Sequence, residues 1–377
     1  VAGDPRAALE AGTEGYQLAD EIGDHFVSRM CRFWGVGSGQ AMLGELAEAA
    51  AQFRELVARA EAAHDPLGQL AALSHLSHTL TYLGDTRGAR TAATAAAELG
   101  AEFGGFMEGV GYGPLARAAL AAGDVSAATE ASEVARQRMS AHPVPAGNVN
   151  PIAEIALASG DLVAARRYAD EAVSLARGVH LAIALIARTR VEIARGEPDQ
   201  DERDARKALA CVAAVDAHVT TPEALECLAA MASHADSHRE AARLFGAAHA
   251  IRQRMGIVRY KVYDGDHDVS VAVVRAALGD SEFESAWAQG SALSTDEAIA
   301  YAQRGRGERK RPTNGWASLT PAERDVVRLV SEGLGNKDIG TRLFISPRTV
   351  QTHLTHVYTK LGLTSRVQLV QEAAHHD

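Results

Sequence analysis

The chain has 377 residues, 47% of them hydrophobic and only 5% aromatic, enough apolar material for a large core packed from small side chains rather than a β-sandwich. Its formal net charge of −10, from 38 basic and 48 acidic residues, excludes a protein that coats nucleic acid along its whole surface. No run approaches the roughly 18 uncharged apolar residues of a membrane span, and no apolar stretch follows a basic start, so a cytoplasmic, all-α protein without membrane contact is expected.

Residues 1 to 250 read as a repeat array. Gly-acid pairs recur at Gly3-Asp4, Gly44-Glu45, Gly84-Asp85, Gly123-Asp124, Gly160-Asp161 and Gly196-Glu197, with a degenerate Ala235-Asp236, at spacings of 41, 40, 39, 37, 36 and 39. After most pairs comes an Ala-rich helical segment, as in Asp161-Leu-Val-Ala-Ala-Arg-Arg-Tyr-Ala, and before most sits another helix. Glycine ends one helix and the acid caps the next. A period near 40 then means helix pairs stacked as a solenoid, with a concave surface open to a protein or small-molecule ligand. These units resemble tetratricopeptide-type repeats, though longer than the usual period of about 34 residues and without its full signature.

The period breaks over residues 240 to 302, and 251 to 302 are expected to be helices that close the array. Asp264, Asp266 and Asp268 imitate a calcium loop, but Val269 stands at the required Gly position and Arg275 at the required Glu, which leaves a polar turn. Cys31, Cys211 and Cys227 have neither metal spacing nor a disulfide framework and are expected to be buried thiols. His375-His376-Asp377 is expected to be a solvated end. No Gly-x4-Gly-Lys-Ser/Thr cradle occurs, and no catalytic set, metal or cofactor is assigned.

Residues 303 to 315 are rich in Gly and positive charge and have no apolar period, which makes them a polar tether. In it Arg304, Arg306, Arg309, Lys310 and Arg311 are placed to add salt-sensitive phosphate contacts. From Arg304 to Asp377 there are twelve Lys and Arg against seven Asp and Glu, a net of +5 that leaves −15 for residues 1 to 303. A basic reader on an acidic body has this asymmetry.

Residues 316 to 377 predict four short helices. Leu319-Thr320-Pro321-Ala322-Glu323 is a capping box before the apolar face Val326, Val327, Leu329 and Val330, and Gly333 supplies a left-handed stop. Ser346 caps the third helix and Pro347 is its first residue; Val350, Leu354, Val357 and Leu361 make one apolar stripe, and Gly362 ends it. Arg348, Gln351, Thr352, Thr355, Thr359 and Lys360 point elsewhere. A polar, short-side-chain face nearly free of acids fits the DNA major groove. His353, at the flank of the stripe, reads as a half-buried packing residue. Thr364-Ser365 cap a last helix holding Val367, Leu369 and Val370.

Leu319-Thr320-Pro321 with Glu323, Gly333-Leu334, Asn336-Lys337, Ile339, Leu343, Ile345 to Val350, His353-Leu354, Lys360-Leu361 and Ser365-Arg366 together resemble the LuxR-type DNA-binding domain over residues 318 to 372. The resemblance implies a double-stranded DNA partner and a four-helix domain that places the Pro347 to Leu361 helix in the major groove and pairs as a homodimer through its last helix. It assigns Thr349, Arg348, Lys360, Lys337 and Arg366 to phosphates and Gln351, Thr352 and Thr355 to bases. The chain departs from the pattern at Gly335, Asp338, Gly340 and Gln351, where the family has Ser or Thr, Glu, Ala and commonly Lys. A mid-helix Gly costs about 0.5 to 1 kcal/mol relative to Ala, and a neutral amide suits adenine better than guanine.

Glu240 to Ala248 and Ala276 to Gly290 resemble the closing helices of large actinobacterial regulators that join an ATPase module, a helical array and a LuxR-type reader. Val1 opens directly in a repeat, the expectation for a fragment or shortened member of that group. The reading is a sequence-specific DNA-binding transcriptional regulator, not an enzyme, with a repeat body for sensing or partner binding. The alternatives are an interaction scaffold with a weak reader and a fragment of a signalling ATPase regulator.

Overall fold

A computed structural model describes residues 4–140, 151–196, 198–304, 315–319, 321–343 and 345–373, all helix and connection with no strand among them. The side chains at 198–201, 317, 321 and 348 lie outside that description. Outside it too fall Gly3, Glu197, Thr320, the tether cations from Arg306 to Arg311, and His375 to Asp377. The chain divides at Gln303 into two compact units.

The first unit opens with α1 (Pro5–Glu21), then α2 (His25–Met30) and α3 (Ser38–Leu43), joined by a π-helical stretch Cys31–Gly37. Antiparallel helices follow: α4 (Leu46–Ala62), α5 (Pro66–Tyr82), α6 (Thr86–Phe103), α7 (Gly105–Ala121), α8 (Val125–Arg138), α9 (Ile152–Ala158), α10 (Leu162–Leu175), α11 (Val179–Arg195), α12 (Pro198–Ala214), α13 (Thr221–His234) and α14 (His238–Met255). The expected turn is present at Gly84-Asp85, where Gly84 takes φ +74° and Asp85 Oδ1 accepts from the Gly88 amide at 2.8 Å. Asp124 and Asp161 cap in the same way.

Three details differ from the sequence pattern. Glu45 makes no side-chain cap bond, and at the degenerate pair Asp236 itself adopts φ +56° with Ser237 in the cap position. The turn halfway between Gly44 and Gly84 is formed by His64 at φ +50° and Asp65, which caps Gly68 at 2.9 Å. This repeat therefore holds two similar turns, one hidden because its left-handed residue is not glycine. Alanine packing accounts for the low aromatic content: Ala89, Ala92, Ala93 and Ala96 of α6 are buried, and a Cβ on Gly111 of α7 would fall 2.5 Å from Ala96 O.

The row curves. First-row helices α5 and α7, α9 and α11, and α11 and α13 touch directly, while successive second-row helices meet more sparsely, so the first row lies inside the bend. Curvature brings the start of the row to a later turn: Arg6 pairs with Asp216 at 3.1 Å, and Leu46, Tyr82, Val219 and Ile257 share one apolar cluster.

The chain itself covers the inner row. After α14, residues Ile257–Tyr260 run extended into a 3-10 turn, Lys261–Tyr263, and Val258 N donates to Tyr82 O at 2.7 Å. Met255, Val258 and Lys261 lie against Gly44, Gly84 and Gly123, where an added Cβ would be 2.7, 2.7 and 3.5 Å from them. From Val258 to Lys261 the extended chain advances about 10 Å, close to the spacing of packed helices, which carries it from the Gly84 turn to the Gly123 turn. Tyr263 Oη donates to Glu154 at 2.9 Å, and Arg252 and Arg259 both bond Glu226 at 2.8 Å. In place of the open concave surface expected from a solenoid, the first-row helices are roofed by residues 257 to 263.

The chain continues as α15 (Asp264–Leu278), α16 (Asp280–Ser291) and α17 (Thr295–Gln303). Helices α14 and α16 cross backbone to backbone, since a Cβ on Gly290 would sit 1.8 Å from Arg243 O and one on Gly246 2.3 Å from Trp287 O. Asp264, Asp266 and Asp268 belong to the first turns of α15, not to a loop, where acidic residues favour the helix N-terminus. Cys227 is buried, but Cys31 and Cys211 are half-exposed, a correction to the expectation of three buried thiols; none of the three is in a disulfide. No helix among the described residues is long and apolar enough to cross a membrane.

The second unit contains the short turn Trp316–Ser318, then α18 (Pro321–Ser331), α19 (Asn336–Leu343), α20 (Pro347–Leu361) and α21 (Arg366–Ala373). They enclose one core of Leu319, Val326, Val327, Leu329, Val330, Ile339, Val350, Leu354, Val357, Leu369 and Ala373.

Candidate nucleic-acid interface

Helices α19 and α20 meet through a turn fixed by local chemistry. Ser346 Oγ accepts from the Thr349 amide at 3.0 Å, and Pro347 opens α20. Ile345 N donates to Gly340 O at 2.9 Å, while a Cβ at Gly340 would lie 2.7 Å from Ile345 O. The glycine that weakens α19 as a helix thus lets the turn close tightly against it.

Val350, Leu354 and Val357 are buried, so the opposite face of α20 is held outward by packing. That face exposes Gln351, Thr352, Thr355, His356 and Thr359. Thr355 and Thr359 donate to the carbonyls of Gln351 and Thr355, both at 3.0 Å, which turns hydroxyl lone pairs toward solvent. His353 is half-buried, as expected from its flank position, while His356 one turn from Thr352 was not picked out from sequence. Its signal was available: i and i+4 share a face.

The cations divide by what they touch. Lys337 is exposed at the first turn of α19 and makes no ion pair among the described residues. Lys360 Nζ gives two hydrogen bonds to the Glu323 carboxylate at 2.9 and 2.8 Å, and the Glu323 side chain is 3% exposed. Arg366 donates to Asn336 Oδ1 at 3.0 Å and to Leu334 O, and Asn336 Nδ2 donates in turn to Gln351 Oε1 at 2.9 Å. This chain runs from α21 through α19 to the middle of the exposed face of α20. It fixes the Gln351 amide, whose own N–H groups remain as donors. Arg342 pairs with Glu332 at 3.1 Å. The Arg348 side chain lies outside the described residues.

Of the residues assigned to phosphates, then, Lys337 and Thr349 stand at the N-terminal ends of α19 and α20, where backbone N–H groups also favour anions. Lys360 and Arg366 are engaged within the domain. On the last helix, Leu369 joins the core, whereas Val367 is 67% and Val370 37% exposed, an apolar pair facing away from it.

Residues 317–373 match the family described as bacterial regulatory proteins, luxR family, and the C-terminal unit is a luxR-type helix-turn-helix domain. Over 376 residues the chain is 52% identical to proteins of Mycobacterium bovis and Mycobacterium tuberculosis named as candidate HTH-type transcriptional regulators. Those alignments take in 99% of this chain and 42% of each relative, so the chain spans less than half the length of the curated relatives it matches. The oxygen regulatory protein NreC of Staphylococcus aureus is 43% identical over 61 residues, 16% of this chain and 28% of NreC.

Proposed function

We propose that the chain is a sequence-specific, DNA-binding transcriptional regulator that lays α20 in the major groove. The observation that carries this reading is the exposed face of α20, a row of amide and hydroxyl groups held outward by a buried apolar stripe on a luxR-type domain. In this reading Gln351, Thr352 and Thr355 read base edges, and His356 joins them. Lys337, Arg348 and Thr349 hold phosphates, and Lys360 and Arg366 give phosphates only the donors left over from Glu323, Asn336 and Leu334. The names of the mycobacterial relatives support the regulatory role.

Two readers pair through Val367 and Val370 of α21 on half-sites about one helical turn apart, since one small domain contacts too few phosphates for tight specific binding. The helical body acts as the sensing element. Selection of bound sequences from a random duplex pool at near-physiological salt, with the full chain and its Gln351→Ala variant, tests the reading. A two-fold enriched motif that changes in the variant is expected; no enrichment by either protein overturns sequence-specific recognition.

A further inference from the structure

The body contains a cavity of about 280 Å3 between α7, α8, α9, α10 and α11, room for a small organic molecule rather than a single water. Met139, Tyr168 and Ile183 give it apolar walls; of the nitrogen donors that line it, Arg136 is exposed and paired with Glu133, which leaves Arg117 and His180 facing the interior. Arg117 is 7% exposed. Its hydrogen-bond partner is the neutral Tyr260 hydroxyl, and no carboxylate lies within ion-pair distance of it among the described residues. The one acidic side chain buried in the wall, Glu154, is already taken by Arg190 at 3.3 Å and by the Tyr263 hydroxyl at 2.9 Å.

The buried Arg117 guanidinium feels the charge of Glu154 only through space, with no carboxylate in direct contact, and a ligand carboxylate placed against it adds charge-assisted hydrogen bonds. We propose that this cavity binds a small monocarboxylate with an apolar body, its carboxylate on Arg117 and His180 and its hydrocarbon against Met139 and Ile183. Burial and the positive charge of Arg117 hold His180 below the usual histidine range, so it meets the ligand as a neutral donor. The site also suits the place of Arg117, on an inner-row helix bonded to the segment 257–263 that roofs that row. Occupancy of the cavity is therefore sensed by the hub of the array. The proposal gives the sensing role of the body its ligand class and rests on that role, but not on DNA recognition.

Calorimetric titration of the full chain with octanoate, benzoate and octanamide tests it without DNA. Saturable one-to-one binding of octanoate or benzoate is expected, with octanamide on the order of tenfold or more weaker than octanoate because it lacks the charge. Ile183→Trp, which fills the cavity and leaves Arg117 in place, should weaken carboxylate binding by a similar factor, as should Arg117→Gln. Should Arg117→Gln fail to fold, the carboxylate–amide comparison on the unaltered chain and the Ile183→Trp titration still decide. The proposal is overturned if neither carboxylate saturates, if octanamide matches octanoate, or if Ile183→Trp binds the carboxylate as tightly as the parent. None of these results bears on selection of duplexes by the reader.

Discussion

The carboxylate of Glu323, 3% exposed, is closed by Lys360 Nζ through bonds of 2.9 and 2.8 Å that join the first turn of α18 to the last turn of α20. A charge so placed needs its partner more than it adds net stability, because removing the lysine leaves a desolvated carboxylate without that counter-charge.

Lys360→Met should therefore destabilise the reader by about 2 to 3 kcal/mol, below the 3 to 5 kcal/mol of a fully buried pair because the lysine side chain stays 25% exposed. Faster amide exchange across Pro321–Leu361 in the full chain is the readout. In DNA titrations against salt, Lys337→Ala should flatten the slope by about one unit and Lys360→Met by clearly less. An equal loss of slope in both variants would return Lys360 to the phosphates.

Asn336 holds the Gln351 amide from behind, itself held by Arg366. Asn336→Ala should then relax base preference at the same base pair as Gln351→Ala, although Asn336 is on the other helix. Selection from a random duplex pool with both variants checks this. A change confined to overall affinity in Asn336→Ala would separate the two residues.

Glu226 lies between Arg252 and Arg259. Burial alone would raise its carboxyl, but the guanidiniums and their hydrogen bonds overcome that and lower it to about 2 from the ordinary 4.5. Because the folded value is depressed, the stabilisation is fully present above pH about 4.5 and disappears as pH falls toward about 2, a contribution of about 3 kcal/mol. Urea unfolding of the body should show this acid limb in the parent chain, with a shallower limb and lower stability at neutral pH in Glu226→Gln. Parallel acid limbs in the two proteins would remove Glu226 from the account.

Gly290→Ala should destabilise the closing helices by about 1 to 3 kcal/mol or more, since the methyl meets backbone that cannot rotate away. Thermal unfolding measures it. Alanine at Gly265, which has open space around it, should be tolerated by comparison.

Much of the reader was legible because its determinants are local. The Ser346 cap, Pro347 and the stops at Gly333 and Gly362 act within a few residues, and the stripe Val350, Leu354, Val357 is a matter of helical period. The array was legible through its Gly-acid turns for the same reason. The equivalent turn at His64-Asp65 escaped because a left-handed residue other than glycine leaves no compositional mark.

By itself, then, the sequence determined an all-α chain, a period of helix pairs and a helix-turn-helix with its outward polar face, since propensity, capping and amphipathic spacing are properties of neighbouring residues. Tertiary structure decided what meets across long separations: Lys360 with Glu323 at 37 residues, Tyr263 with Glu154 at 109, and the segment 257–263 laid over the inner row. No local pattern encodes those pairings. In the body they follow from the curvature of the array, and in the reader from the packing of α18 on α20; both bring distant charges into the same dry space, where each needs a partner.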